Sequence, residues 1–236
     1  MCCMNINPVQ AFSDNYIWVI DNGTDGIIVD PGEAQDVLAY IEEKHLNLEA
    51  IILTHKHDDH IGGVSEVLAK YPDTPVYGPK ETEHLNTHLV KDGDEFELLG
   101  QAFKVFKSGG HTEGHISYLM VDNLFCGDAL FSGGCGRVFT GDYQAQYDAL
   151  QTFKALPDNV KVYAAHEYTE TNLRFAHSID PTDQAFTEAL KEVEALRASD
   201  KPTLPSTIEK EKDINLFLQA ESLDTFIELR NQRDNF

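Results

Sequence analysis

The chain has 236 residues, 42% of them hydrophobic, which is enough for one large domain with a substantial core. The balance of 40 acidic against 18 basic residues gives a net charge of -22, which disfavours binding to nucleic-acid backbones. No stretch approaches the roughly 20 apolar residues that span a membrane, and MCCMNINPVQ at the start lacks the features of an export signal. We therefore expect a cytoplasmic protein whose cysteines form no disulfide framework: Cys2, Cys3, Cys126 and Cys135.

Short apolar strands are predicted through the first two thirds of the chain, each bounded by Gly, Asp, Asn or Pro. In chain order they are NYIWVID, DGIIVDP, AIILTH, PVYG, FKVFKSGGH, NLFCGD and VKVYAAH. Apolar residues recur at helical spacing between these strands, in AQDVLAYIEEKH, IGGVSEVLAKY and YQAQYDALQTFKAL. This mixture of strands and helices indicates the α/β class.

The pattern becomes helical near residue 170. DPTDQAFTEALKEVEALRA predicts a helix with Asp180 as its N-cap and Pro181 at its first position. The prolines of SDKPTLPST end that helix, and SLDTFIELRNQRDNF predicts a closing helix. We therefore divide the chain into a strand-rich body, residues 1–170, and a helical portion, residues 171–236.

Seven side chains that can bind metal ions follow the carboxyl ends of four predicted strands. They are His55, His57, Asp59 and His60 after AIIL, His111 after FKVFKSGG, Asp128 after NLFCG, and His166 after VKVYAA. Loops held by a rigid sheet are where binding and catalytic residues concentrate. Imidazole and carboxylate groups suit Zn²⁺, and also Fe or Mn.

The spacing within THKHDDH has a physical rationale. Residues two apart in an extended chain point the same way, so His55 and His57 can bind one ion. A turn into a helix starting near Ile61 would bring Asp59 and His60 toward a second ion. The residues between the ligands are then spacers that point away: Lys56 and Asp58.

Each of these residues has a plainer interpretation when taken alone. An isolated HxH is compatible with a surface turn, whereas HxHxDH directly after an apolar strand is far more specific for a metal site. Each of the other three candidates could be an ordinary loop or core residue: His111, Asp128 and His166. Their interpretation as ligands depends on the presence of HxHxDH in the same chain. We expect His115 to be structural, and we expect the two internal cysteines to pack rather than to act as nucleophiles: Cys126 and Cys135.

With these residues assembled, the chain resembles the metallo-β-lactamase superfamily and, within it, the glyoxalase II (hydroxyacylglutathione hydrolase) family. The resemblance runs from end to end through FSDNYIWVI, VDPGEA, ILTHKHDDHIGG, GGHTEGHISY, CGDALFSGGCGR, HEYTETNLRFA and ELRNQRDNF. It implies an αββα metallo-β-lactamase sandwich followed by a C-terminal α-helical substrate domain.

The resemblance also implies two divalent metal ions, with zinc expected and iron or manganese as alternatives. The first ion would be held by His55, His57 and His111, and the second by Asp59, His60 and His166, with Asp128 bridging them. The family's contacts to glutathione would fall on Arg137, Tyr168, Arg230 and Arg233. Arginine suits the two carboxylates of glutathione because its guanidinium can bind a carboxylate through two hydrogen bonds.

The implied reaction is hydrolysis of an S-(2-hydroxyacyl)glutathione thioester by a metal-bridging hydroxide that Asp59 orients. With S-D-lactoylglutathione the products would be glutathione and D-lactate, the second step of methylglyoxal detoxification. The principal alternative is a glutathione persulfide dioxygenase with a single iron. A β-lactamase, a nuclease and a non-enzymatic metal module are less favoured. We expect a monomer with no nucleic-acid or membrane partner.

The chain departs from the family pattern at a few positions. Leu216 stands where the family usually has proline, in NLF, and Gln219 stands where a basic residue is frequent. Phe139 replaces a tyrosine that some members place near glutathione, which would remove one hydroxyl contact. We assign no function to the short extension Met1–Cys3.

Overall fold

The computed structural model describes residues 4–236, so the Met1–Cys3 extension lies outside the described residues. Within that range the chain forms two six-stranded mixed sheets, and its contacts divide it into two compact units. The first unit runs to Lys107 and includes Gly114–Val121, and the second comprises Ser108–Glu113 and Asp122–Phe236. The α/β class expected from the sequence is confirmed. The division at residue 170 stays a prediction.

The first unit contains nine strands and three α-helices among its described residues. They are β1 (Asn5–Ala11), β2 (Asn15–Asp21), β3 (Asp25–Val29), α1 (Gln35–Glu43), β4 (Asn47–Ile52), α2 (Asp58–Ile61), α3 (Val64–Lys70), β5 (Val76–Gly78), β6 (His88–Leu89), β7 (Glu95–Leu98), β8 (Gln101–Lys107) and β9 (Ile116–Met120). The first sheet has the order β1 to β6, antiparallel as far as β3 and parallel from there. β7, β8 and β9 pair antiparallel.

The core of this unit lies between the first sheet and two helices. α1 contributes Val37 and Ile41, and α3 contributes Val64 and Val67, all fully buried against strand residues such as Ile28. The helical spacing of these apolar residues explains why both segments are helices and which face each helix buries. This packed layer fixes the position of the loop that follows β4.

The single helix expected over IGGVSEVLAKY is wrong, because α2 ends at Ile61 and α3 begins at Val64. Glycines fill the break for a steric reason. A Cβ on Gly62 would lie 2.7 Å from the Asp58 carbonyl oxygen, and one on Gly63 would lie 2.5 Å from the Glu33 carbonyl carbon. Any larger residue would push these segments apart.

The second unit holds the remaining strands and most of the helices. They are β10 (Asn123–Gly127), α4 (Tyr143–Lys154), β11 (Lys161–Ala164), α5 (Thr169–Ile179), α6 (Gln184–Arg197), β12 (Ser206–Thr207), α7 (Ile208–Ile214), α8 (Leu216–Gln219) and α9 (Leu223–Asp234). β10 and β11 pair parallel, and β11 and β12 pair antiparallel. α5, α6 and α7 meet around the buried Leu173, Val193 and Ile214. The helical C-terminal region expected from the sequence is confirmed.

The start predicted for α6 is wrong. The helix begins at Gln184, and its N-cap is Asp183, whose side chain accepts hydrogen bonds from the backbone N–H groups of Ala185 and Phe186. Asp180 instead ends α5 and accepts hydrogen bonds from Thr182. Asp183 is the cap because a capping side chain must reach the N–H groups two or three residues ahead, which for this helix are those of Ala185 and Phe186. Within residues 4–236, no helix combines the length and the apolar character needed to cross a membrane.

Candidate functional site

The predicted ligands lie where the strands end, as the sequence pattern indicated. β4 stops at Ile52, and His55 and His57 follow it, whereas Asp59 and His60 lie on the one-turn helix α2. In the second unit, Asp128 directly follows β10 and His166 follows β11. His111 comes after β8 along the chain and belongs to the second unit.

The ligand candidates of the first unit lie close to one another. His55 Nε2 is 3.2 Å from His57 Nδ1, and His60 Nε2 is 3.4 Å from Asp59 Oδ2. Lys56 and Asp58 are exposed, in agreement with their predicted role as spacers. Imidazole nitrogens and a carboxylate oxygen grouped this closely are the donor atoms that bind Zn²⁺, Fe or Mn. The donor chemistry of this segment therefore fits a metal ion.

Asp30 orients two of these imidazoles from behind. Its carboxylate is 2.9 Å from His60 Nδ1 and accepts hydrogen bonds from the Thr54 N–H group (2.7 Å) and the Thr54 hydroxyl (2.5 Å). The Thr54 hydroxyl is in turn 3.0 Å from His55 Nδ1. These contacts place the imidazole protons on Nδ1, which makes Nε2 the metal-binding atom of both histidines. Possible ligand atoms of Asp30, His55 and His60 all lie within 4.8 Å of one another.

The second unit presents a carboxylate between two imidazoles. Asp128 Oδ2 is 3.3 Å from His111 Nε2, and Asp128 Oδ1 is 3.3 Å from His166 Nε2. His111 Nδ1 lies 2.9 Å from the Arg137 carbonyl oxygen, so Nδ1 donates and Nε2 faces the carboxylate. A carboxylate that offers one oxygen to each side has the arrangement of a bridging ligand. Both units thus contain His and Asp clusters that fit metal ions.

The other predicted residues near these clusters have structural surroundings. His115 is fully buried, and its ring stacks on that of His55 with a centroid distance of 4.7 Å. Cys126 and Cys135 are both buried free thiols. Burial raises the pKa of both, which opposes formation of the nucleophilic thiolate. The expectation that these cysteines serve packing agrees with this environment.

A cavity of about 260 Å³ in the second unit gathers all four predicted glutathione contacts. It is lined by Phe131, Cys135, Arg137, Tyr168, Asn172, Arg230, Arg233 and Asp234. Aromatic rings connect it to a candidate ligand, because Tyr168 stacks on His166 at 4.6 Å and Phe131 meets both rings edge-on. The cavity therefore extends to within one side chain of His166.

The three arginines of the cavity differ in how firmly they are held. Arg230 has only 5% of its side chain exposed, and it donates to Asp234 Oδ1 at 2.7 and 3.1 Å and to the Cys135 carbonyl oxygen at 2.8 Å. Arg137 is 53% exposed, and its Nε lies 3.3 Å from the same Asp234 oxygen. Arg230 is thus fixed in place, whereas Arg137 can move toward a ligand.

Arg233 is the cavity's least compensated cation. Its guanidinium donates two hydrogen bonds to the neutral Asn172 Oδ1, both at 3.3 Å. Burial lowers the pKa of this guanidinium, and the nearby positive charge of Arg230 lowers it further. A carboxylate entering the cavity would relieve both effects, so the electrostatics favour an anionic ligand.

Comparisons with known proteins agree with this geometry. Residues 12–166 match the model of the metallo-β-lactamase superfamily, and residues 167–236 match the model of the hydroxyacylglutathione hydrolase C-terminus. A curated protein named hydroxyacylglutathione hydrolase, from Glaesserella parasuis serovar 5, is 55% identical over 99% of this chain and 100% of its own length. The chain belongs to the hydroxyacylglutathione hydrolase family.

A second curated relative supports the same family, and two solved structures support the same fold. A hydroxyacylglutathione hydrolase from Salmonella enteritidis is 47% identical over 97% of this chain and 92% of its own length. Among solved structures, ETHE1 from Myxococcus xanthus aligns with a TM-score of 0.73 and 26% identity over 97% of this chain and 90% of that one. The BLEG-1 B3 metallo-β-lactamase aligns with a TM-score of 0.69 over 92% of this chain and 100% of that one, and its 22% identity shows the fold alone. The metallo-β-lactamase fold expected from the sequence is confirmed.

Two departures from the hydroxyacylglutathione hydrolase pattern have clear surroundings. Phe139 is 64% exposed, with its ring edge-on to His111 at 5.3 Å and the Arg137 guanidinium 5.9 Å above it. It thus offers an apolar surface and no hydroxyl beside a candidate ligand. Gln219 donates to the carbonyl oxygens of Lys212 and Asp213 and so caps the end of α7.

Sequence reasoning missed the residue that shapes the glycine-rich loop FSGGCGR, residues 131–137. Glu211 is fully buried on α7, and its carboxylate accepts hydrogen bonds from the hydroxyls of Ser132 and Ser206 and the backbone N–H of Gly133. Asn215 donates to the same carboxylate and to the carbonyl oxygens of two loop residues: Phe131 and Gly134. Burial raises the pKa of Glu211, and these hydrogen bonds oppose the shift. A charged run such as EKEKD gave no sign that one of its members is buried.

Proposed function

We propose that the chain hydrolyses S-(2-hydroxyacyl)glutathione thioesters, with S-D-lactoylglutathione giving glutathione and D-lactate. Family membership over the whole chain supports this proposal. The observation that carries it in the structure is the arginine cavity one side chain from His166. Such a cavity suits a ligand with carboxylates at one end and a reactive group at the other.

The proposed cofactors are two divalent ions, most simply zinc, with iron or manganese as alternatives. His55, His57 and His111 would hold one ion, and Asp59, His60 and His166 the other, with Asp128 shared. The match to the family motif supports this assignment, as do the short donor contacts within each unit. When bound, such ions act as Lewis acids and lower the pKa of coordinated water to roughly 7.

The residues of the chain would divide the remaining work. Arg233 and the half-exposed Arg137 would bind substrate carboxylate, while Arg230 holds Asp234 and the Cys135 carbonyl in place. Tyr168, stacked on His166, would position the substrate backbone beside the ligands. Holding the thioester in this way converts a bimolecular reaction into an effectively intramolecular one. Asp59 would orient the attacking water, whose oxygen adds to the thioester carbonyl carbon. The C–S bond then breaks, and the glutathione thiol leaves with the proton that the water gives up.

The test is thioester hydrolysis by purified protein of measured metal content. We expect S-D-lactoylglutathione to be consumed and free thiol to appear in equal amount. A matched substrate that carries the same lactoyl thioester on an N-acetylcysteamine thiol, without the glutathione carboxylates, should show a much higher KM. Protein that holds two metal ions but leaves S-D-lactoylglutathione intact would contradict the proposal.

The rival function, a glutathione persulfide dioxygenase, is less supported. Its reaction would consume O₂ with a single iron, whereas the curated relatives at about 50% identity carry the name hydroxyacylglutathione hydrolase. Oxygen uptake with glutathione persulfide separates the two, since we expect none. A monomeric state and a cytoplasmic location stay predictions, which size-exclusion chromatography and cell fractionation would test.

A further inference from the structure

The hairpin that joins β1 to β2 contacts the helix that carries Asp59. We propose that Asn15, the first residue of β2, is a positioning residue that sets the orientation of the Asp59 carboxylate and so the affinity for the second metal ion. The inference rests on the proposed function, in which Asp59 is a ligand. The proposed reaction gives no role to the segment DNY, residues 14–16, to which Asn15 belongs.

The hairpin tip is held firmly enough to position another residue. β1 and β2 pair as far as Ala11 and Asn15, which leaves three residues in the turn. The first of them, Phe12, has a φ of 52°, a conformation that costs a residue with a bulky side chain free energy. Its N–H group donates to the Glu33 carboxylate at 2.7 Å, which ties the tip to the segment after β3.

Asn15 makes two hydrogen bonds to Asp59. Its side-chain nitrogen, Nδ2, donates to Asp59 Oδ2 at 3.0 Å and to the Asp59 carbonyl oxygen at 3.3 Å. A single amide group that binds both the side chain and the main chain of one residue restrains the side-chain torsion angles between them. Asn15 itself is only 7% exposed, so its amide has little freedom to turn away.

Asp59 depends on an outside partner because α2 offers little order of its own. The helix has four residues, and its N-cap, His57, makes no side-chain capping hydrogen bond. A single turn is unstable without tertiary contacts. The Asp59 side chain is 40% exposed, and its Oδ2 atom lies between the Asn15 amide and His60 Nε2 at 3.4 Å. The neutral amide therefore fixes the carboxylate without competing for a cation.

The test compares metal affinity in two Asn15 variants and one control. Asn15→Ala removes the donor, and Asn15→Asp keeps the size but places a second carboxylate against Asp59. The control is Asn5→Ala, which removes an Asn–Asp hydrogen bond (to Asp21, 3.0 Å) at the other end of the same hairpin. Metal content after dialysis, competition with a chelator, and the visible spectrum of Co²⁺-substituted protein would be recorded for each.

In both Asn15 variants we expect the affinity for one of the two ions, the one that Asp59 would hold, to fall by roughly 10- to 100-fold, the effect typical of losing a ligand's hydrogen-bond partner, while the affinity for the other ion stays at its wild-type value. Asn5→Ala should match the wild type. Excess metal should restore thioester hydrolysis to Asn15→Ala, because its defect is one of affinity; a merely structural role would not respond in this way.

Equal affinities for both ions in wild type and both Asn15 variants would overturn the inference. So would an identical loss in Asn5→Ala, because the effect would then belong to the hairpin as a whole. A wild type that binds two ions but leaves thioesters intact would defeat the proposed function alone. The metal comparison would still decide the role of Asn15.

Discussion

The segment Thr54–His60 of the first unit and the arginine cavity of the second unit are built in opposite ways. The segment places four candidate ligands within six residues, so a strand end and one helical turn bring them together. The cavity draws its residues from Phe131 through Asp234, on two loops and two helices. Local backbone geometry assembles the first, whereas tertiary packing assembles the second.

The two regions also differ in how their functional groups are oriented. Behind the imidazoles lie Asp30 and Thr54, which set the ring protons and leave neutral donor atoms for an ion. Inside the cavity the buried Arg230 pairs with the partly exposed Asp234, which also accepts a hydrogen bond from Arg137. Substitutions in the segment should therefore affect chemistry first, and substitutions in the cavity should affect substrate binding and folding.

The largest effect is expected for Asp59→Ala, the sharpest test of the segment. Loss of a residue that hydrogen-bonds to a metal ligand typically lowers activity by roughly 10- to 100-fold, and loss of the ligand itself should lower it further. We expect kcat to fall beyond that range, KM to change little, and metal analysis to show about one ion lost. If instead KM rose while kcat and metal content stayed at wild-type values, the role assigned to Asp59 would be wrong.

Arg230→Ala tests whether the cavity is also a structural element. The guanidinium is buried, bonded to Asp234 and Cys135, and packed 5.1 Å from the centroid of the Phe217 ring. Asp234 keeps 23% of its side chain exposed, so loss of these hydrogen bonds should cost about 1.5–3 kcal/mol, the range for hydrogen bonds to charged groups, which urea unfolding would measure. We also expect KM to rise, with kcat much less affected.

The matched control for that substitution is Arg174→Ala. Arg174 lies on the same unit and pairs with Glu170 and Glu194, but its side chain is 51% exposed. Exposed pairs are screened by solvent and contribute little, so the control should unfold close to the wild type. Equal destabilisation in both variants would show that the burial of Arg230 does not set its role.

Arg233→Ala isolates substrate binding within the cavity. The hydrogen bonds of Arg233 go to the neutral Asn172, whereas those of Arg230 go to a carboxylate, so loss of Arg233 should disturb the fold less than loss of Arg230 does. A charge-assisted hydrogen bond to a substrate carboxylate is worth about 1.5–3 kcal/mol. KM for S-D-lactoylglutathione should therefore rise roughly tenfold or more at unchanged kcat, while KM for the N-acetylcysteamine thioester stays constant. A parallel rise for both thioesters would mean that Arg233 does not bind the glutathione carboxylates.

The contrast between the regions also explains what the sequence could predict. Apolar strands that end in polar ligands are local patterns, and each ligand candidate was found at such an end. Asp30 and Asn15 were missed as partners because each contacts its target across 30 or more positions of the chain. The family motif, not any local pattern, led to Arg230 and Arg233.

The missed elements have physical reasons of the same kind. β1 is an edge strand whose sequence, NINPVQA, contains Pro8 and two asparagines, residue types that are typical of turns, so the segment looks like a loop. α7 is short and charged, and its burial of Glu211 depends on hydroxyl and amide donors far away in the chain. α6 begins three residues later than expected because two aspartates competed for one cap.

The smallest effect is expected for Lys56→Ala, which tests the alternation within the segment. Lys56 lies between two candidate ligands, yet its side chain is exposed. Its backbone N–H group donates a hydrogen bond to the Glu81 carboxylate at 3.2 Å. A substitution that keeps this backbone group should change stability by less than about 0.5 kcal/mol and leave metal content and kcat at wild-type values. Loss of an ion in Lys56→Ala would show that the segment is not extended at this point, and the pairing of His55 with His57 on one ion would fail with it. Retention of both ions, beside the loss expected for Asp59→Ala, would show that position along the strand, rather than the density of charged residues, decides which side chains of the segment bind metal.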